Sequence, residues 1–103
     1  MIFIETPVFT EDVQALLTDD EYGALQGELA NRPDMGEIIR GTGGLRKVRW
    51  GAAGKGKRGG VRAIYYWRVA ESQILMLVIY SKSVKDDLTA DQRKMLRKIV
   101  ENW

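Results

Sequence analysis

The chain contains neither cysteine nor histidine in its 103 residues. Without cysteine there is no disulfide framework and no thiolate nucleophile, an economy that fits a reducing, cytoplasmic setting. Without histidine, a Ser-His-Asp triad, a histidine general base and a histidine-ligated zinc are all excluded. Any catalysis has to come from Lys, Arg, Tyr, Ser, Asp or Glu, and no cofactor is expected. There are only two prolines and no low-complexity linker, and the length suits a single domain over residues 1–103. No apolar run approaches the roughly 18–20 residues that cross a bilayer, so no membrane association is expected. The opening Met-Ile-Phe-Ile-Glu-Thr has neither a basic start nor a long apolar stretch, and no secretion signal is read there.

Acid is missing in one place above all. Residues 38–70 hold nine bases and no carboxylate, whereas residues 1–37 hold nine acids and one base. The formal net charge of +2 conceals this segregation. A middle third charged this way projects a positive field over one face, and polyanions are the natural partners of such a field.

Local signals give the architecture. Met1 to Glu5 reads as a short strand. Thr10 can cap a first helix, with Glu11 and Asp12 in its first turn and Val13, Leu16 and Leu17 facing inward. Thr18-Asp-Asp-Glu21 is a capping box that opens a second helix carrying Tyr22, Leu25 and Leu29 at helical spacing, ended by Arg32-Pro33. Leu45 to Trp50, Val61 to Val69 and Ile74 to Tyr80 read as strands, the last nearly all apolar and therefore central. Thr89-Ala-Asp-Gln92 is a second capping box, and the helix behind it should face inward with Met95, Leu96, Ile99 and Trp103. Asp86 and Asp87 fall to the start of that helix. The order β-α-α-β-β-β-α predicts an α+β fold: an antiparallel sheet of about four strands, two N-terminal helices and a C-terminal helix.

The stretch "GAAGKGKRGG", Gly51 to Gly60, matches the G-x-x-x-x-G-K spacing of a phosphate-binding loop. That motif requires Ser or Thr next, where Arg58 stands, and a helix afterwards, where a strand follows. It reads better as a hairpin connection whose Lys55, Lys57 and Arg58 reach phosphates. Alternation along the flanking strands puts Arg46 and Trp50 on one face and Lys47 and Arg49 on the other. On the following strand Arg62, Ile64, Tyr66 and Arg68 share a face opposite Val61, Ala63, Tyr65 and Trp67. Basic strands with aromatics suit single-stranded RNA, whose unpaired bases stack while cations hold the phosphates. The aromatics serve equally well as core, with Tyr66 the best stacking candidate.

A histidine-free protein can still cleave RNA, since the 2′-hydroxyl is the nucleophile. A lysine crowded by like charges can act as base near neutrality, and arginine clamps phosphoryl oxygens bidentately. Lys47, Lys55 and Lys57 are candidate bases, and Arg49 and Arg62 candidate clamps. Binding without cleavage fits the same residues, as does a small regulatory protein whose basic face only meets an acidic partner. With Arg62 read as a surface charge, Arg62→Ala is expected to leave folding nearly intact.

The ordered segments "GTGGLRKVRWGAAGKGKRGGVRAIYYW" and "LVIYSKSVKDDLTADQRKML" resemble the RelE/HigB superfamily of type II toxin–antitoxin toxins, and most nearly its HigB-type subgroup. The resemblance extends over roughly the whole chain. It implies a cytoplasmic, metal-independent endoribonuclease that cuts mRNA in the ribosomal A site, contacts ribosomal RNA and stops translation. It also implies a cognate antitoxin with a helix-turn-helix DNA-binding domain, through which alone promoter DNA would be met. By this resemblance Arg62, Lys47, Arg49 and Lys57 are the catalytic set. Lys55, Arg58, Arg46, Tyr66, Tyr80 and Lys82 would bind RNA. A catalytic tyrosine of some members falls near Leu88 in this chain, leaving Tyr66 or Tyr80 to substitute.

Overall fold

The computed structural model describes residues 1–52, 60–84 and 87–103. The basic connection with Lys55, Lys57 and Arg58, and the acid Asp86, lie outside the described residues. Among the described residues, five strands and three helices follow in the order β1 (Ile2–Glu5), α1 (Pro7–Leu16), α2 (Asp19–Asn31), β2 (Glu37–Ile38), β3 (Arg46–Ala52), β4 (Gly60–Arg68), β5 (Gln73–Ser81) and α3 (Ala90–Glu101). The strands form one sheet in the order β1-β5-β4-β3-β2.

The α+β class and element order agree with the sequence reading, while the sheet is larger and mixed rather than wholly antiparallel. β2 to β5 are antiparallel neighbours, but β1 runs parallel to β5, pairing Phe3 with Ile74 and Glu5 with Met76. A parallel pair needs a long crossover, and its partner cannot be read from the four residues of the strand itself. β2 is only two residues long and exists because Glu37 and Ile38 pair with Lys47 and Arg46.

Helix starts follow capping chemistry. Thr18 and Thr89 each close a full capping box, with Glu21 and Gln92 respectively, as read from sequence. The first helix begins earlier than Thr10. Thr6 is its cap, accepting from the Phe9 N–H at 3.1 Å, and Pro7 occupies the first turn, where a missing N–H costs nothing. The Thr6 hydroxyl also donates to the Leu77 carbonyl at 2.7 Å, tying α1 to β5. Thr10 sits inside the helix, and its hydroxyl donates to Glu5 at 2.6 Å.

The sheet divides the core in two. On one face α1 and α2 supply Phe9, Val13, Leu17, Leu25 and Leu29 against Val48, Ala63, Tyr65 and Ile74. On the other, α3 supplies Leu96, with Leu88 just before it, against Leu45, Ile64, Leu75 and Leu77. Within α3 the buried line is Leu96 with half-buried Val100, while Met95, Ile99 and Trp103 are exposed. The inward line is thus turned from the one expected.

A register shift orders the second face. β4 and β5 pair as Ile64 with Val78 but Tyr65 with Met76, so Leu77 is an extra residue in β5. Alternation flips there. Ile74 and Met76 face α1 and α2, as does Ile79, whereas Leu75, Leu77, Val78 and Tyr80 face the α3 side.

Tyr65 is completely buried and locks the approach to β2. Its hydroxyl donates to the Pro33 carbonyl at 2.7 Å and accepts from the Gly36 N–H at 2.9 Å. A Cβ on Gly36 would lie 2.8 Å from the Tyr65 ring, so glycine is required there. Tyr65→Phe should lower unfolding free energy by about 1–3 kcal/mol, the cost of two buried polar groups losing their partner, read as a shift in urea midpoint. An unchanged midpoint would show that the hydroxyl is not a structural tie.

Tyr22 donates to Glu5 at 2.5 Å. Burial, followed by that carboxylate, pushes the Tyr22 phenol well above its ordinary range, and burial does the same to Tyr65. Above about pH 10 the unfolded chain releases these protons while the folded chain keeps them, so stability falls as pH rises. Urea midpoints measured on either side of that pH should fall less steeply for Tyr22→Phe than for the parent. Identical slopes would contradict the assignment.

Candidate functional site

The α3-side face of β3, β4 and β5 extends beyond the apolar cluster into a row of polar residues. Arg49 lies directly opposite Arg62, and Arg62 directly opposite Tyr80. One step toward the helix is the row Lys47, Ile64, Val78. Parity in the sequence joins Lys47 with Arg49 and leaves open which basic pair Arg62 lies beside; the register settles it, setting Arg62 against Arg49 on the face of Lys47. Tyr80 joins them only through the shift at Leu77; uninterrupted alternation would have turned it toward α1 and α2.

Two guanidiniums directly across a strand pair repel one another, and like pairs at such positions are destabilising. Their burial differs sharply. Arg49 is exposed and makes no ion pair among the described residues. Arg62 retains 1% exposure and donates from Nη1 to the Val61 carbonyl at 3.3 Å. This contradicts the expectation of a surface charge: Arg62 sits on β4, flanked by β3 and β5 inside the sheet, and its side chain is shut off from solvent. An anion in front of the row could take bidentate hydrogen bonds from the exposed Arg49.

Lys47 reaches Asp87 across the sheet edge, Nζ to Oδ1 3.1 Å, the lysine side chain 12% exposed and the aspartate 71%. The sequence reading gave Asp87 to the start of the last helix. In the structure Thr89 is the cap, and Asp87 precedes it and turns to β3. Two features hold it there: Leu88 is buried in the α3-side core, and Arg93 Nη1 donates to the Leu88 carbonyl at 3.2 Å. The available signal was position, because an acid two residues before a capping threonine lies outside the helix.

The remaining candidates separate. Arg46 faces the α1–α2 side, where Nη1 donates to the Asp34 and Gly36 carbonyls at 3.1 and 2.8 Å; it braces the turn before β2 and is not part of the row. Tyr66 shares the row's face but lies four residues along β4, about 13 Å from Arg62 at the usual rise per residue. Its ring packs into the α3-side core beside Gly44, where an added Cβ would meet it at 3.2 Å and φ is +112°. That is a packing position. Lys82 is exposed just past Tyr80, its N–H bonded to the Gly60 carbonyl at 3.1 Å, so it flanks the mouth of the hairpin. The acidic helices α1 and α2 occupy the opposite side of the sheet, so charge segregation in sequence becomes segregation in space.

Arg62→Ala should cost about 1–3 kcal/mol of stability by leaving the enclosed space unfilled, unlike Arg49→Ala, which should stay within about 0.5 kcal/mol. Thermal unfolding of the pair checks this; equal melting temperatures would show that Arg62 is not held as described.

No helix among the described residues is long and apolar enough to cross a membrane. A family model described as the RelE toxin of the RelE/RelB toxin–antitoxin system matches residues 33–103, the segment that carries the whole row from Lys47 to Tyr80. The chain therefore belongs to the RelE toxin family, the toxin side of a toxin–antitoxin pair.

Proposed function

We propose that the chain is a metal-independent endoribonuclease of the HigB type that cuts mRNA in the ribosomal A site and so stops translation in the cytoplasm. The observation that carries this reading is the Arg49–Arg62–Tyr80 row with Lys47 beside it, a cationic face that ends in a tyrosine. Family membership supports it independently.

In this reading the 2′-hydroxyl attacks the adjoining phosphorus and the 5′-oxygen leaves. Arg62, enclosed and therefore fixed in direction, and Arg49, free to close from solvent, hold the phosphoryl oxygens as charge builds on them. A preorganised donor is worth most where water is excluded, which suits the buried arginine. Lys47 stands where it can pass a proton to or from an oxygen of the reacting group, once the phosphate competes with Asp87 for it. Tyr80 is positioned better than Tyr66 to take the place of the tyrosine that other members use. Lys55, Lys57, Arg58 and Lys82 would hold mRNA or ribosomal RNA across the hairpin mouth. The partner is an antitoxin with a helix-turn-helix domain, which would carry the pair to promoter DNA.

Primer extension on mRNA in a translating extract tests the reading. New 5′ ends should appear with wild-type protein and ribosomes together. Arg49→Ala is the clean variant, because it leaves the fold alone, and it should lower cleavage on the order of 10²-fold. Stalled ribosomes without new ends would make the protein a binder rather than a nuclease. Undiminished cleavage by Arg49→Ala would place the site elsewhere.

A further inference from the structure

Beside Lys47 the surface opens into a groove of about 410 Å³ between β2 and α3, within the roughly 300–1,000 Å³ of small-ligand sites. It is formed by the Glu37–Arg40 segment on one side and by Asp87 and Arg93 on the other, with Lys47 at the inner end. We propose that this groove holds the ribonucleotide adjoining the scissile phosphate, so that the RNA strand leaves the Arg49–Arg62 row across Lys47 toward β2 and α3. The inference rests on the ribonuclease reading and extends it to residues outside the candidate set.

The chemistry of the lining fits one nucleotide unit. Arg40 is exposed and makes no ion pair among the described residues. Arg93 uses one guanidinium nitrogen on the Leu88 carbonyl, which orients it and leaves its other donors for a ligand. Asp87 is matched by Lys47, and the two arginines outweigh the one remaining carboxylate, Glu37, so the groove keeps a net positive charge. Arginine pairs of this kind take a phosphodiester bidentately. Ile39, half-buried and joined to the α3-side core, offers an apolar floor for a base. Glu37 is the direct cross-strand neighbour of Lys47 and shares its face. Its exposed carboxylate can accept from a ribose hydroxyl or a base amino group, which a site for bare phosphate would not need.

Continuity gives the direction. Lys47 belongs both to the cationic face and to the groove, so a chain bound at the row reaches the groove without crossing an apolar ridge. Asp87 stands at the junction, and any phosphate reaching Lys47 meets its charge. Asp87 therefore weakens RNA binding, and its neutralisation should strengthen it.

The test is binding of a fluorescent, 2′-O-methylated single-stranded RNA ten-mer, which lacks the nucleophile and stays intact. Anisotropy is followed across a salt series for the full chain and for Arg40→Ala, Arg93→Ala, both together, Asp87→Asn, and Lys98→Ala as a charge-matched control on the exposed side of α3. The double variant should bind about tenfold more weakly at low salt. Its log K against log salt slope should flatten by about 1.4, the value for two lost contacts on a single strand. Arg40→Ala alone, which removes no bond within the protein, should give about half that change in slope. Asp87→Asn should bind about threefold more tightly, a sign that loss of structure would not produce. If the double variant and Arg40→Ala both match Lys98→Ala while wild type binds and cleaves, the groove assignment is wrong and the nuclease reading stands. If wild type neither binds RNA nor leaves new 5′ ends with ribosomes, both fall.

Discussion

Two arginines face each other across β3 and β4 with a tyrosine completing the line, and this adjacency is the constraint around which the α3-side face is arranged. Two like charges placed across a strand pair repel one another. The rest of the sheet has to outweigh that repulsion. It does so with apolar material on both faces, from Leu25, Leu29 and Tyr65 on one side and Ile64, Leu77 and Leu96 on the other. Departures from local consistency of this sort are expected where a protein has a task other than being stable.

The distribution of acid complements this. α1 and α2 gather their carboxylates on the far side of the sheet, so the field over the row is not cancelled from beneath. On the near side, where Glu37 also lies beside Lys47, stands Asp87. It is held by Leu88 and Arg93 at the junction between sheet and helix, where it satisfies Lys47 in the absence of a ligand. With its aspartate largely in solvent the pair contributes little to stability, so its presence beside the row is better understood through the ligand than through the fold.

Much of this was legible in the sequence, for reasons that differ by element. Thr18 and Thr89 announce their helices because a capping box is a local device, complete within four residues. The parity of β3 and β4 is legible because polar and apolar residues alternate there. The same logic fails in β5, where Ile74 to Tyr80 is apolar almost throughout and a shift leaves no mark. The start of α1 was missed because acids at Glu11 and Asp12 drew the helix onset toward Thr10, while Thr6-Pro7 carries the real signal. β2 and the parallel placement of β1 depend on partners distant in the chain. The burial of Arg62 has no local signature, since a charged residue on a strand reads as solvated until its neighbours across the sheet are known.

The extra residue at Leu77 makes β5 depend on its register in a way that its composition conceals. Were the strand to pair with β4 without the shift, Ile64 would meet Leu77 and Arg62 would meet Ile79, carrying the Tyr80 ring under α1 and α2. Deleting Leu77 itself would instead let Val78, Ile79 and Tyr80 keep their sides. Either event leaves the segment apolar almost throughout, and a hydropathy profile would register neither. The place of the ring is thus set by the count of residues along the strand and not by their kind, as a held beat decides where every later syllable falls.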